Sequence, residues 1–396
     1  MKQPTKKGDL LGSDSCQRIC ILTNDPHEGF HGSYRQAFSK AQALAGNGCY
    51  VYLLTTRPSP TRLFFVQKEI RDQLEIHQIS SVFLKKKIGA IMLVGFYLFW
   101  LRRKYDFLQT NTDHFCYCAA LISKILKKKF IVVSTSYYGE RIQPGKFASL
   151  KAWTIGKSTC VVALTEQIRN FYSRLLPSRC QTVKIPNGID TEKFCPVTSA
   201  EKREIRRGLG LNEEHTIVLF VGNILKEKGI DLLLEQMRKN KKFNQGIRLW
   251  IIGNQNFDPD FSQAVRQFIG KHGLSDHIYF WEAQSDIASC YQSADIFILP
   301  SRREGLPSVV LEAMACALPS IVSNLGYTKE LIQSDNGFVF ALEEPDTIWT
   351  KINEWAQDQA VRERIGKQAR GFIEQHYSLE IAREQYLQLY HSLVDH

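Results

Sequence analysis

Two glutamates eight residues apart stand out in this sequence: Glu304, in Pro300-Ser301-Arg302-Arg303-Glu304-Gly305-Leu306-Pro307-Ser308, and Glu312, in the apolar run Val309–Ala315 that follows. The stretch Asp295–Leu299 before them reads as a strand, so the pattern predicts strand, loop and helix. One carboxylate then sits in the loop and the other a turn into the helix, where both can face one cleft. Gly305 lets backbone approach a ligand, and Ser308 has the residue type of an N-cap. Around Gly305, Leu306, Pro307 and Ser308 a helix start offers unpaired N–H groups and positive dipole to phosphate or hydroxyl oxygens. A carboxylate accepts two hydrogen bonds from a vicinal diol such as that of a ribose. A second one beside an anomeric carbon stabilises positive charge developing there. The pattern suits a sugar nucleotide. It suits equally a first-turn carboxylate favoured by the helix dipole and a solvated loop charge.

Two further loops follow strand-like runs. Thr216–Val221 leads into Gly222-Asn223-Ile224-Leu225-Lys226-Glu227-Lys228-Gly229, where Lys228 stands at a strand-to-helix junction, placed to neutralise a diphosphate leaving group or simply to be a surface charge. Near the start, Asn24–Ser33 carries Gly29 and Gly32, which let backbone approach a phosphate; it is not G-x-G-x-x-G, so no dinucleotide fingerprint is present and an ordinary βα turn reads as well. No His, Cys, Asp or Glu spacing resembles a metal site. The expectation is chemistry without metal and without a cofactor beyond a nucleotide-diphosphate sugar.

The elements that must hold these loops alternate. Strand candidates in the first half are Arg18–Thr23, Cys49–Thr55, Leu74–Ile79, Asp106–Thr110, Phe130–Thr135, Cys160–Leu164 and Val183–Ile185, separated by helical patterns such as Ser33–Ala45, Asp113–Leu126 and Thr165–Leu175. Thr216–Val221, Arg248–Ile252, Ile278–Phe280, Asp295–Leu299, Ser320–Val322 and Phe338–Phe340 repeat the rhythm. This predicts an α/β chain of two doubly wound, Rossmann-like domains facing a cleft, over residues 14–190 and 213–375. The turn chemistry of Pro186–Asp190 and the polar stretch Thr198–Gly210 put the boundary near 187–212. Three helices should follow Asp346.

With 396 residues, 44% hydrophobic and 23% charged, the chain is sized for two cores and is neither disordered nor fibrous. Its ten cysteines are scattered without a C-x2-C pair, as expected of reduced cytosolic thiols. The start has no apolar stretch of signal-peptide length, so a cytoplasmic location is expected. Residues 1–190 hold 28 Lys+Arg against 12 Asp+Glu, and residues 191–396 hold 23 against 28, which splits the net +11 into +16 and −5. A basic first half meets an anionic surface or carries solubility charge alone. No nucleic-acid motif accompanies it, so a nucleic-acid partner is not expected.

On these loops the chain resembles GT-B-fold glycosyltransferases of the large retaining family 4 type. The matching pieces are Ile185-Pro186-Asn187-Gly188-Ile189-Asp190, Phe220-Val221-Gly222 through Lys228-Gly229, Ala294-Asp295 through Pro300-Ser301, and Glu304-Gly305-Leu306-Pro307 through Glu312-Ala313-Met314-Ala315, the E-x7-E motif. The resemblance implies that Glu312 binds the nucleotide ribose and Glu304 lies against the donor sugar. Backbone around Gly305–Ser308 would hold sugar and phosphate oxygens, and Lys228 the diphosphate. It also implies retention by front-face attack, with the leaving phosphate helping to deprotonate the acceptor, and a final helix, within 376–396, that crosses back onto the first domain. The chain departs from the family pattern at five places. Asn223 stands for an arginine, His31-Gly32 for Gly-Gly, Ser136-Tyr137 for His-Gly, Ala317 for a glycine, and Tyr327 for the second glycine of a pair.

The acceptor side offers one feature. Lys85-Lys86-Lys87 precedes the apolar run Ile88–Leu101, with Phe96, Tyr97, Phe99 and Trp100, and Arg102-Arg103-Lys104 closes it. Fourteen residues fall short of the ~20 needed to span a bilayer. The run either lies in the headgroup interface of an anionic membrane or is a helix packed on the sheet. The function expected is sugar transfer to a cell-surface polysaccharide, lipopolysaccharide or lipid-linked glycan at the inner membrane face, with a small soluble acceptor as the alternative and a non-enzymatic basic nucleic-acid-binding protein as the remote one.

Overall fold

The computed structural model describes residues 17–23, 32–59, 61, 64–81, 87–111, 115–134, 153–240 and 246–394. Two sheets divide it. The first holds β1 (Arg18–Leu22), β2 (Tyr50–Pro58), β3 (Phe65–Arg71), β4 (Leu74–Ser81), β5 (Phe107–Thr110), β6 (Lys129–Ser134), β7 (Cys160–Ala163) and β8 (Gln181–Lys184), in the order β3-β4-β2-β1-β5-β6-β7-β8. The second holds β9 (Thr216–Val221), β10 (Ile247–Ile252), β11 (Ile278–Trp281), β12 (Ile296–Leu299), β13 (Ser320–Ser323) and β14 (Gly337–Phe340), in the order β11-β10-β9-β12-β13-β14. Every pairing is parallel except β3 with β4. Parallel strands are covered on both faces, which is why runs such as Ile-Phe-Ile-Leu in β12 are apolar throughout and fully buried.

The chain reverses direction across each sheet between β1 and β5, and between β9 and β12. Ligand crevices of open α/β sheets form beyond the carboxyl ends of strands at such points. Asn111 follows β5, Gly222 and Asn223 follow β9, and Ser301 and Glu304 follow β12. The topology therefore brings together the loops that the sequence singled out. The Asn24–His31 part of the first loop lies outside the described residues, as do Ser136 and Tyr137.

One strand is absent from the expected set. β3 is exposed along almost its whole length, with Lys68, Glu69 and Arg71 on it, and among the described residues it pairs with β4 alone. An edge strand so little covered carries almost no alternation of burial to read, and its charges protect the edge. The charge-dense stretch around the expected boundary is a helix, Ser199–Gly208, opened by a capping box of Thr198 and Glu201. Buried Arg206 ties this helix to the second sheet through Asp295, the Ser293 carbonyl and the Glu213 and His215 carbonyls.

Three helices follow Asp346: Asp346–Gln357, Gln359–His376 and Leu379–Val394. The last packs on Gly32–Ala45, where Lys40 Nζ donates to Tyr386 Oη at 2.9 Å. Tyr390 Oη donates to Gln109 Oε1 at 2.7 Å. The chain thus passes between the sheets twice, side by side, with Ile189 N bonded to Tyr377 O and Leu379 N to Ile189 O. A Cβ on Gly188 would fall 2.8 Å from the Ala382 Cβ, so the two crossings approach as closely as glycine permits. Ala317 adopts φ +58°, a conformation that favours the glycine of the resembling family.

Candidate functional site

Lys228 and Glu304 are 76 residues apart in sequence and meet because their loops are fastened together. The Arg302 guanidinium grips both oxygens of Asp231, at 2.7 and 2.8 Å, and the Arg302 backbone N–H donates to Glu227 O at 2.7 Å. Gly229 holds φ +74°, and a Cβ there would lie 1.8 Å from Pro300 O, so only glycine allows the loops this close. With the loops so joined, Lys228 Nζ reaches Glu304 Oε1 at 2.5 Å, and Ser301 Oγ donates to the same oxygen at 2.8 Å. Both hold Oε1. A lysine already positioned on a carboxylate is a preset cation for a second anion.

Glu312 lies a turn into the helix Ser308–Ala315, 6% exposed, and accepts a hydrogen bond from Tyr291 Oη at 2.9 Å. Burial pushes its carboxyl above the ordinary range, while Arg35, the Tyr291 hydroxyl and Lys193 act in the opposite direction. The same burial, with the Glu312 charge beside it, drives the Tyr291 hydroxyl well up.

Glu304, Glu312 and Lys228 line one cavity of about 280 Å³ between the two sheets, together with Gly222, Asn223, Leu306, Pro307, Ser308 and Gly32. Gly305 joins Glu304 to Leu306 without itself lining the cavity. Ser308 is not the N-cap that its type led one to expect. Pro307 takes that position with extended backbone, at φ −75° and ψ 114°, because its ring fixes φ where a cap needs it. Ser308 becomes the first helical residue, and its Oγ accepts from Gln36 Nε2 at 3.1 Å, a bond from one sheet's helix layer to the other's. The cavity walls also include Arg35, Gln36, Asn187, Asn254 and Gln284, which sequence reasoning did not single out as site residues. Arg35 and Gln36 follow Gly32 by one turn, a spacing that could have flagged them. Among the described residues no group of three His, Cys, Asp or Glu side chains could hold a metal ion.

The apolar run on the acceptor side forms the helix Lys87–Trp100, and it is two-faced by packing. Val94, Tyr97, Leu98 and Leu101 are buried, whereas Met92, Phe96, Phe99 and Trp100 are exposed, Met92 by 70%. One face is therefore packed in the core, as the buried-helix alternative expects, and the other is exposed to solvent. Exposed Phe64, whose ring centre lies 6.2 Å from that of Tyr97, and exposed Ile70, two residues on from Lys68 and so on the same side of β3, adjoin this outer face, and Leu121 and Ile125 are exposed on the neighbouring helix Cys116–Leu126. Lys68 Nζ lies 5.3 Å from the Trp100 ring centre, and the Arg102 guanidinium 4.7 Å from that of Phe99. Arg103 and Lys104 are exposed beside them. Lys85 and Lys86 lie outside the described residues, as does the Lys87 side chain. Among the described residues no helix is long and apolar enough to cross a membrane.

Residues 201–372 match the family described as glycosyl transferases group 1, and residues 31–193 match glycosyltransferase family 4. Spore coat protein SA of Bacillus subtilis is 29% identical over 242 residues, covering 58% of this chain and 64% of that protein. The capsular polysaccharide biosynthesis glycosyltransferase CapM of Staphylococcus aureus is 24% identical over 243 residues, covering 60% of this chain and 62% of that one. These alignments span less than two thirds of the relatives' length. Among solved structures, sucrose-phosphate synthase of Thermosynechococcus elongatus superposes with a TM-score of 0.82 at 20% identity, over 96% of this chain and 99% of that one. HepE of Anabaena, in complex with UDP and glucose, gives 0.79 at 15%, over 95% and 100%. Both share the fold.

Proposed function

The chain belongs to the glycosyltransferases, its first half to family 4 and its second to group 1, and on that premise we propose that it moves a sugar from a nucleoside diphosphate sugar to an acceptor hydroxyl in the cleft between its sheets. One observation carries the reading: Lys228 and Glu304, from two separate loops, and Glu312, from the helix Ser308–Ala315, line one cavity. Glu312 takes the ribose hydroxyls. Lys228 and the start of the Ser308–Ala315 helix take the diphosphate, with no metal needed to carry its charge. Glu304 faces the sugar ring. The acceptor oxygen bonds to the anomeric carbon on the face that the phosphate leaves, the bond to the phosphate oxygen breaks, and the acceptor proton passes to the departing diphosphate. Retention follows.

A thermal-shift screen of UDP, GDP, ADP and their sugar conjugates tests this, because a ligand that binds only the folded state raises its stability. At least one nucleoside diphosphate should raise Tm, equally in EDTA, and Lys228→Ala should remove most of that rise. A screen in which no diphosphate or sugar conjugate shifts Tm overturns the reading.

The acceptor we place at an anionic membrane surface, on a lipid-linked or envelope glycan. The exposed aromatic face of Lys87–Trp100, ringed by Lys68, Arg102, Arg103 and Lys104, has the composition of an interfacial helix. Basic residues near such a surface contribute about 1 kcal/mol each, which salt screens. Vesicles with anionic lipid should therefore bind the protein, less so at ~0.5 M salt, and neutral vesicles should bind less. Replacing Lys85, Lys86, Lys87, Arg102, Arg103 and Lys104 by Gln should weaken co-sedimentation without lowering Tm. Equal binding by parent and variant points to a small soluble acceptor instead.

A further inference from the structure

The charge inventory of the cavity is unbalanced for the ligand just assigned to it. Among the described residues its walls carry two carboxylates, Glu304 and Glu312, and two cations, Lys228 and Arg35. Lys228 is already engaged with Glu304 at 2.5 Å. A diphosphate diester brings two negative charges into that space, and in a partly dry cleft uncompensated charge is costly. One lysine shared with a carboxylate, even with the partial positive charge of the helix start, leaves room for a second cation.

Arg35 is placed to meet it. It stands in the first turn of Gly32–Ala45, on the wall opposite Lys228. Its neighbour Gln36 bonds Ser308 Oγ at 3.1 Å, which holds this turn against the N-terminal end of the Ser308–Ala315 helix, where phosphate oxygens would meet unpaired N–H groups. Among the described residues no carboxylate lies within 4 Å of Arg35; the charge it acts on is Glu312, across the same cavity. A guanidinium suits the task better than an ammonium, because its planar fork binds two phosphate oxygens at once.

We propose that Arg35 is the second cation of the diphosphate subsite, reaching across the cleft from the first sheet's helix layer to the leaving group held by Lys228. This rests on the nucleoside diphosphate sugar reading and deepens it.

The test compares affinities for a nucleoside and its 5′-diphosphate, in the base series that the parent protein binds, across the parent, Arg35→Gln, Arg35→Lys, Lys228→Ala and the double variant Arg35→Gln/Asn223→Arg. Asn223 lines the same wall as Lys228, so an arginine there can restore the missing charge. Arg35→Gln should weaken the diphosphate about tenfold or more while changing nucleoside affinity less than about twofold, since charge-assisted bonds to phosphate are lost and the ribose contacts are not. Arg35→Lys should retain part of the affinity, and Asn223→Arg should recover part of it. Equal loss on nucleoside and diphosphate would mean that Arg35 acts on the ribose through Glu312, and unchanged diphosphate affinity would mean that it does not touch the ligand. Either result overturns the proposal. If Lys228→Ala weakens the diphosphate and Arg35→Gln does not, only the Arg35 assignment falls; a parent that binds no nucleoside diphosphate brings down the underlying reading with it.

Discussion

Glu304→Gln should lower kcat about a hundredfold and leave the donor KM unchanged or reduced. Positive character grows on the sugar ring only as the bond to phosphate breaks, so a carboxylate against the ring acts mainly in the transition state. Removing such a contact costs about 3 kcal/mol in the barrier, roughly two decades in rate. Glutamine keeps the size and the hydrogen bond from Ser301, so the loop has no reason to move. It also releases Lys228, whose charge is engaged with Glu304 Oε1. A freed lysine binds the diphosphate at least as well, which is why KM should not rise. Steady-state kinetics with the donor varied separates the two constants. Near-normal turnover would remove Glu304 from the mechanism, and a large rise in KM would make it a binding residue.

The opposite split is expected for Glu312. Its contacts to ribose hydroxyls are present equally in ground and transition states, so Glu312→Gln should raise the donor KM by about a hundredfold, the cost of one or two hydrogen bonds to a charged acceptor, with much less effect on kcat. Glutamine is the informative change, because alanine would also leave the buried Tyr291 hydroxyl without its 2.9 Å partner and lower stability. A pH profile supplies a second signature. Burial raises the Glu312 carboxyl above the ordinary range, with Arg35 and Tyr291 acting against the rise. As pH falls through that raised value the group gains a proton and loses acceptor capacity, so the parent's donor KM should climb before ordinary carboxylates titrate. The glutamine variant should show no such climb. Collapse of turnover at constant KM would refute the ribose assignment.

Legibility followed sequence distance. Glu304, Glu312 and the helix start lie within one short segment, and local rules of strand, loop and helix were enough to put both carboxylates toward one cleft. Lys228 was legible by type and junction. Its bond to Glu304 was not, because it depends on Arg302 and Asp231 fastening two loops that local sequence cannot relate. Ser308 shows the same limit on a smaller scale: its residue type announced a cap, but the neighbouring proline took the capping conformation and left the serine for Gln36.

Ile88–Leu101 and Arg35 mark the boundary most clearly. An apolar run shows no polar face, so its pattern cannot tell which side is covered; contact with the sheet and the helix Cys116–Leu126 buried Val94, Leu98 and Leu101 and left Met92, Phe96 and Trp100 outside. Arg35 is one of 28 basic residues in the first half, and only its place in a cavity lined from both sheets sets it apart. The amino-acid sequence by itself determined the parallel α/β architecture, since strand periodicity is a local property, and it pointed to the type of chemistry through the resemblance of its loop motifs to family 4. Only the tertiary structure decided which charges share a cavity and which apolar face meets the solvent, since both depend on packing between segments tens to hundreds of residues apart.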